Sequence, residues 1–163
     1  MSNLIFSEVY TAHKGRVWSL SSRYVKLQSD KEDLLQEVFL NVHKALPRFR
    51  GEASLETWIY RITVNTAINY LKKQKRHQKI TQVLGGLRIM DTVEVAESVD
   101  STILKPLEKL NPQQRTIILL SDVEEKALDE IAEILQVPVG TVKSNLHRAR
   151  EIVKKEVIKN EGL

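Results

Sequence analysis

The residues of this chain best placed to do chemistry are cations and amides at helical spacing, and the chemistry they suit is recognition of nucleic acid. In "VPVGTVKSNLHRAR", residues 137–150, and on to Val153, the apolar residues Val142, Leu146, Ala149 and Val153 recur at i, i+4, i+7 and i+11. That spacing makes one apolar stripe on a helix. Turning about 100° per residue from it puts Thr141, Lys143, Ser144, His147 and Arg148 on the outer face. Pro138 suits the first turn of such a helix, where its missing N–H would be unpaired anyway. Just before it, "EIAEIL", residues 130–135, reads as a short amphipathic helix with Ile131, Ile134 and Leu135 available for a core. Two short helices so spaced form a helix-turn-helix, whose second helix enters the major groove with its N-terminal residues near base edges. A helical hairpin with a solvated cationic face has the same periodicity. The proline–glycine punctuation, the small polar first turn and the clustered Lys143, His147, Arg148 and Arg150 favour DNA reading.

A second stripe lies upstream. Trp58, Arg61, Asn65, Asn69 and Lys72 follow one another at steps of 3, 4, 4 and 3, opposite Tyr60, Val64, Ala67 and Leu71. Amides and cations on one stripe can hydrogen-bond bases and neutralise phosphates, and an indole can stack on an end base pair. A lone tryptophan is more often a core residue, so Trp58 is the least secure member. The helix runs into "KKQKRHQK", which can add phosphate contacts, and is entered by the loop "RFRGEAS", which is either a pocket for an unstacked base or a simple connection.

The third pattern has the opposite sign. In "DLLQEVFLNVHKAL", residues 33–46, one side of the helix holds Leu34, Leu35, Val38, Phe39, Val42, Ala45 and Leu46. Asp33, Gln36, Glu37, Leu40 and Lys44 hold the other. Acids repel phosphate, so an acid–amide–acid face with an outward leucine suits protein docking better than DNA. An amphipathic helix facing only water would carry the same pattern.

The elements that must position these side chains are helical throughout. Periodicity predicts helices over about 3–25, 31–46 and 54–78 and repeatedly from 101 onward. Six glycines and 6% aromatics argue against a sandwich or barrel, and the 42% apolar fraction suffices for packed cores. No acid occurs from 57 to 90, whereas Asp91, Glu94, Glu97 and Asp100 follow without a single Lys or Arg among them. With its two glycines and its lack of a convincing period, "GGLRIMDTVEVAESVD", residues 85–100, reads as a linker. The expectation is an all-α chain of two small helical domains, 1–80 and 102–163, joined by a flexible linker over 81–101. With no cysteine, disulfides and thiolate metal sites are excluded. No segment is apolar enough to span a bilayer and the N-terminus has no signal-peptide pattern, so a cytoplasmic location is expected.

Three blocks in this order, "DLLQEVFLNVHKAL", "FRGEASLETWIYRITVNTAINYLKK" and "LNPQQRTIILL…EIAEILQVPVGTVKSNLHRAR", resemble the extracytoplasmic-function (ECF) sigma factors of bacteria, members of the sigma-70 family. The likeness covers nearly the whole chain outside the linker. It implies a sigma2-like bundle and a sigma4-like helix-turn-helix domain without catalytic activity, which bind the RNA polymerase core and direct it to promoters. By this resemblance Asp33, Gln36, Glu37 and Leu40 face the clamp helices of the largest polymerase subunit. Trp58, Arg61, Asn65, Asn69 and Lys72, with the "FRGEAS" loop, read the −10 element, and Thr141, Lys143, Ser144, Asn145, His147 and Arg148 read the −35 element. An anti-sigma factor, in many relatives membrane-anchored, is the implied inhibitor.

Some positions depart from the family pattern. Asn69 and Lys72 stand where many relatives carry an acid and an arginine, and Asn145 stands where arginine is common. Ala127 replaces the usual serine cap, a loss of about 1 kcal/mol that Asp129 partly offsets through the helix dipole. The sequence begins late for the short leading helix of many relatives. A one-component DNA regulator, the alternative, has no use for the face at 33–40. An enzyme is disfavoured, since His13, His43, His77 and His147 lack metal-ligand spacing and no phosphate loop or nucleophile elbow occurs. No metal or cofactor is expected.

Overall fold

The computed structural model describes residues 4–84 and 105–162, and among these there are helices, turns and no strand. The acidic stretch expected as a linker lies outside the described residues. The chain divides into two compact units, Met1–Val95 and Ala96–Leu163.

In the first unit α1 (Phe6–Ser21), α2 (Gln28–Ala45) and α3 (Leu55–Val83) pack against one another. The core follows from the spacing of the apolar residues. α1 contributes Val9, Val17 and Leu20, α2 contributes Leu34, Val38, Phe39 and Val42, and α3 contributes Ile59, Val64, Ala67, Ile68 and Leu71. α1 is shorter than its apolar pattern suggests, because Tyr24 and Val25 fill the core from the turn that follows it. α2 starts earlier than expected, at Gln28, with Asp30 in its first turn, where a carboxylate favours the helix dipole. α3 begins where Ser54 caps it: the Thr57 backbone N–H donates to Ser54 Oγ at 3.1 Å. It passes both the expected helix end at 78 and the expected domain edge at 80, reaching Val83. No proline or glycine interrupts residues 55–84, and the first breaker is Gly85. Ile80, Val83 and Leu84 are exposed, so burial does not set this end.

The second unit holds α4 (Pro112–Ile118), a π-helical turn (Leu119–Val123), α5 (Leu128–Leu135) and α6 (Val139–Asn160). Asn111 and Gln114 cap α4 reciprocally: Asn111 Oδ1 accepts from the Gln114 N–H at 2.8 Å, and Gln114 Oε1 accepts from the Asn111 N–H at 3.2 Å. Pro112 stands at the first helical position, which needs no N–H. α4 is buried almost throughout and packs on α6. Ile117, Leu120, Ile131, Val142 and Ala149 are fully covered.

The two helices of the helix-turn-helix are α5 and α6, with two corrections to the sequence reading. α5 starts at Leu128 rather than at 130, because Glu130 Oε2 accepts the N–H of the cap residue Ala127 at 3.1 Å and so completes half a capping box that the alanine itself cannot make. Pro138 is the residue before α6 rather than part of its first turn. Its carbonyl accepts the N–H groups of Thr141 and Val142, at 2.9 and 3.2 Å.

The turn between α5 and α6 closes by two backbone bonds, Val137 N–H to Ala132 O and Gln136 N–H to Glu133 O, with Gln136 left-handed at φ 54°. This is the Schellman arrangement, whose left-handed position favours glycine because a Cβ crowds the following carbonyl. Gln136→Gly is therefore expected to stabilise the second unit by about 1 kcal/mol. Thermal unfolding followed by circular dichroism checks this, and an unchanged or lowered midpoint would show that the glutamine is unstrained.

Candidate nucleic-acid interface

α6 buries Val142, Leu146 and Ala149, leaves Val153 half-buried, and turns Lys143, Ser144, His147 and Arg148 to solvent. Thr141 and Asn145 are half-buried. The Thr141 carbonyl accepts from Asn145 Nδ2 at 2.9 Å and from Ser144 Oγ at 3.2 Å. Both polar side chains are thus folded back onto the first turn. To meet a base, each must exchange an internal hydrogen bond for an external one, a small net change of about 1 kcal/mol. Lys143, His147 and Arg148 project outward, and the lysine and arginine make a surface of positive potential.

The stripe on α3 is partly as its spacing suggests. Asn65, Asn69 and Lys72 are exposed, whereas Trp58 and Arg61 are half-buried. Asn65 Nδ2 donates to the Arg61 carbonyl at 3.0 Å. The Trp58 indole lies against the Phe49 ring, centroids 4.9 Å apart and planes at 49°. The loop that enters α3 is tied down at its two ends, where Phe49 lies against Trp58 and Ser54 caps the helix, while Arg50, Gly51 (φ 72°) and Glu52 between them are exposed. Lys72, Lys73, Arg76 and Lys79 are exposed along the end of α3.

On α2, Asp33 and Gln36 are exposed, Glu37 is half-buried, and Leu40 has 58% of its surface in solvent. The four are neighbours along one side, at steps of 3, 1 and 3, opposite the fully covered Leu34, Val38 and Val42. An exposed leucine beside carboxylates provides apolar contact at the centre and charge at the rim, as a docking surface needs.

Two polar ties, neither marked by local periodicity, join this helix to α3. Asn41 Nδ2 donates to Thr66 Oγ1 at 3.1 Å, one residue beyond Leu40 and one beyond Asn65. Tyr70 Oη donates to Asp30 Oδ1 at 3.0 Å, one residue beyond Asn69. Burial, and then the Asp30 hydrogen bond and charge, push the Tyr70 phenol far above its usual value, so it stays a donor. An Arg16–Glu56 ion pair joins α1 to the first turn of α3.

A further pair was also outside the reach of periodicity. Arg150, which the sequence groups with the cations of α6, meets Asp122 of the π-helical turn through Nε–Oδ2 at 3.1 Å and Nη2–Oδ1 at 2.6 Å. The Arg150 hydrogen bond holds the Asp122 carboxyl below the ordinary carboxylate range, and Asp122 in turn raises the guanidinium. The sequence signal for such a pair is slight, an acid 28 positions upstream in the turn that follows α4.

Comparison with known proteins adds relatives to this geometry. The family Sigma-70 region 2 matches residues 9–77, and Sigma-70, region 4 matches residues 102–153. The chain is 33% identical over 165 residues to the ECF RNA polymerase sigma-E factor of Haemophilus influenzae, covering 93% of this chain and 87% of that protein. It is 34% identical over 165 residues to the ECF RNA polymerase sigma-E factor of Escherichia coli (strain K12), covering 93% and 86%. Its fold is similar to that of the sigma factor RpoE in a co-crystal structure with the anti-sigma factor NepR from Bartonella quintana, with TM-score 0.67, 22% identity, and 94% and 96% of the two chains covered.

Proposed function

The chain belongs to the ECF sigma factors of the sigma-70 family, and on that premise we propose how it works: it binds the RNA polymerase core and directs it to promoters bearing −35 and −10 elements. The observation that carries this reading is the segregation of charge between α2 and α3. An acidic face with an exposed leucine stands on the first helix, an amide and cation face on the second, and the two helices are hydrogen-bonded together.

In this reading Asp33, Gln36, Glu37 and Leu40 dock on the clamp helices of the largest polymerase subunit. Asn65, Asn69 and Lys72, flanked by Arg61 and Trp58, read the −10 element, with the loop at 49–54 taking up an unstacked base. Exposure supports Asn65, Asn69 and Lys72 most directly, while Trp58, tilted against Phe49, serves as the wall of that loop. Thr141, Lys143, Ser144, Asn145, His147 and Arg148 read the −35 element. The first functional domain runs to the end of α3 at Val83, beyond the edge at 80 that the sequence suggests, the second covers 102–163, and the linker joins them. The protein acts without catalysis, in the cytoplasm; among the described residues no helix is long and apolar enough to cross a membrane. An anti-sigma factor is its regulator, as NepR is the partner of RpoE in the structure of similar fold.

The test is reconstitution with purified core polymerase, followed by transcription from a promoter library, with the free chain titrated on the selected promoters alongside. Each reading surface is small and acts with the other only when both are held at promoter spacing. The free chain is therefore expected to bind promoter DNA weakly and polymerase to make recognition specific. Tight sequence-specific binding without polymerase, and no transcription with it, would favour the one-component regulator.

A further inference from the structure

On α6, Lys143, His147, Arg150 and Lys154 are separated by steps of 4, 3 and 4, so the four share one stripe. All four are exposed. Among the described residues, Arg150 alone of the stripe's Lys and Arg side chains has its charge committed within the protein, by the two-bond fork to Asp122. Such a bidentate pair aligns two planar groups and resists rotation of either. Asp122 itself stands on a firm base, because its turn is anchored by the buried Leu119 and Leu120. The pair is solvent-facing, with 55% and 37% of the Arg150 and Asp122 side chains exposed, so its contribution to stability is small. Its consequence for charge is larger.

We propose that Asp122 is a specificity-determining residue of the DNA-reading helix: by holding Arg150 it withholds one cation from the phosphate backbone. The proposal rests on the reading of α6 as a DNA-binding helix. Every Lys or Arg that neutralises a phosphate releases counterions and tightens binding to any sequence alike. Specificity is the difference between cognate and non-cognate binding, and a cation bound within the protein adds nothing to the non-cognate side. The base-facing Lys143, His147 and Arg148 are left to discriminate, while Arg150, which follows Lys143 and His147 on their stripe, is neutralised. Because the Arg150 hydrogen bond holds the Asp122 carboxyl low, the carboxylate remains charged near neutral pH.

The experiment titrates the full chain on a labelled duplex of arbitrary sequence over a range of salt concentrations. Asp122→Asn keeps the shape and removes the charge. It should tighten binding at low salt and steepen the salt dependence by one phosphate contact, so that affinity falls about 3.5-fold more than in the parent between 50 and 200 mM salt. Arg150→Ala should leave the parent salt dependence unchanged, and the double variant should return to it. The proposal is overturned if Asp122→Asn lowers thermal stability without steepening the salt dependence, which is what a purely structural brace would do. A shallower dependence in Arg150→Ala also overturns it, because Arg150 would then touch phosphate in the parent, and this arm decides the matter even if Asp122→Asn fails to fold. Lys143→Ala separates the underlying reading: on a duplex of arbitrary sequence its ammonium has no cognate base and pairs with phosphate, so its loss should flatten the salt dependence. If neither Lys143→Ala nor Asp122→Asn alters it, α6 does not contact DNA and both readings fall together.

Discussion

Replacing Asp33 by Ala together with Glu37 by Lys is expected to abolish binding to core polymerase while the helical fold persists. Both side chains lie on the open side of α2, beside Leu40 and opposite the fully covered Leu34, Val38 and Val42. Removing one partner of a hydrogen-bonded charge pair at an interface costs about 2–5 kcal/mol, and a like-charge juxtaposition costs several more. Losses of about 5 kcal/mol correspond to affinity changes of several thousand-fold. Surface substitutions remote from packing usually change stability by no more than about 0.5 kcal/mol. The measurement is a pull-down with purified core, accompanied by far-ultraviolet circular dichroism of the free variant. Undiminished capture by a fully helical variant would move the docking surface elsewhere on the molecule.

Arg148→Ala is expected to weaken binding of the polymerase holoenzyme to the upstream promoter element by about 1–3 kcal/mol if the guanidinium makes a bidentate base contact. The residue is exposed on α6, one position from the buried Ala149 and one turn beyond Ser144. The pattern of the loss identifies the contact. A base contact relaxes discrimination at one position of the element, whereas a phosphate contact weakens all sequences alike and reduces the salt slope by about one unit. Competition binding with single-position promoter variants at two salt concentrations separates the two. Equal affinity across the whole panel for parent and variant would remove Arg148 from the interface.

The two predictions draw on different levels of the molecule. The faces of α2 and α6 were legible in the sequence because helical geometry is local. Residues three and four apart share a side, so Leu34, Val38 and Val42, or Val142, Leu146 and Ala149, assign the opposite side without knowledge of any partner. The caps at Ser54 and Asn111 are local in the same way, each pairing with a residue three positions on. Helix ends were less legible. α3 continues to Val83 because nothing stops it before Gly85, and Tyr24 and Val25, apolar enough to extend α1, pack from a turn instead.

By itself, the sequence determined the all-α class and the composition of the three chemically active faces, since each depends on contacts within about one helical turn. Only the tertiary structure decided which of those side chains are free to act. Trp58 is taken up by Phe49, nine positions away. Asn41 is joined to Thr66 across 25 positions, Arg150 to Asp122 across 28, and Tyr70 to Asp30 across 40. Each of these pairings is created by the packing of one helix on another part of its unit, and a one-dimensional period records which side a residue faces but not what stands opposite it. Arg150 is the clearest instance: its position along α6 aligns it with the exposed Lys143 and His147, and a carboxylate brought beside it by the fold holds its charge.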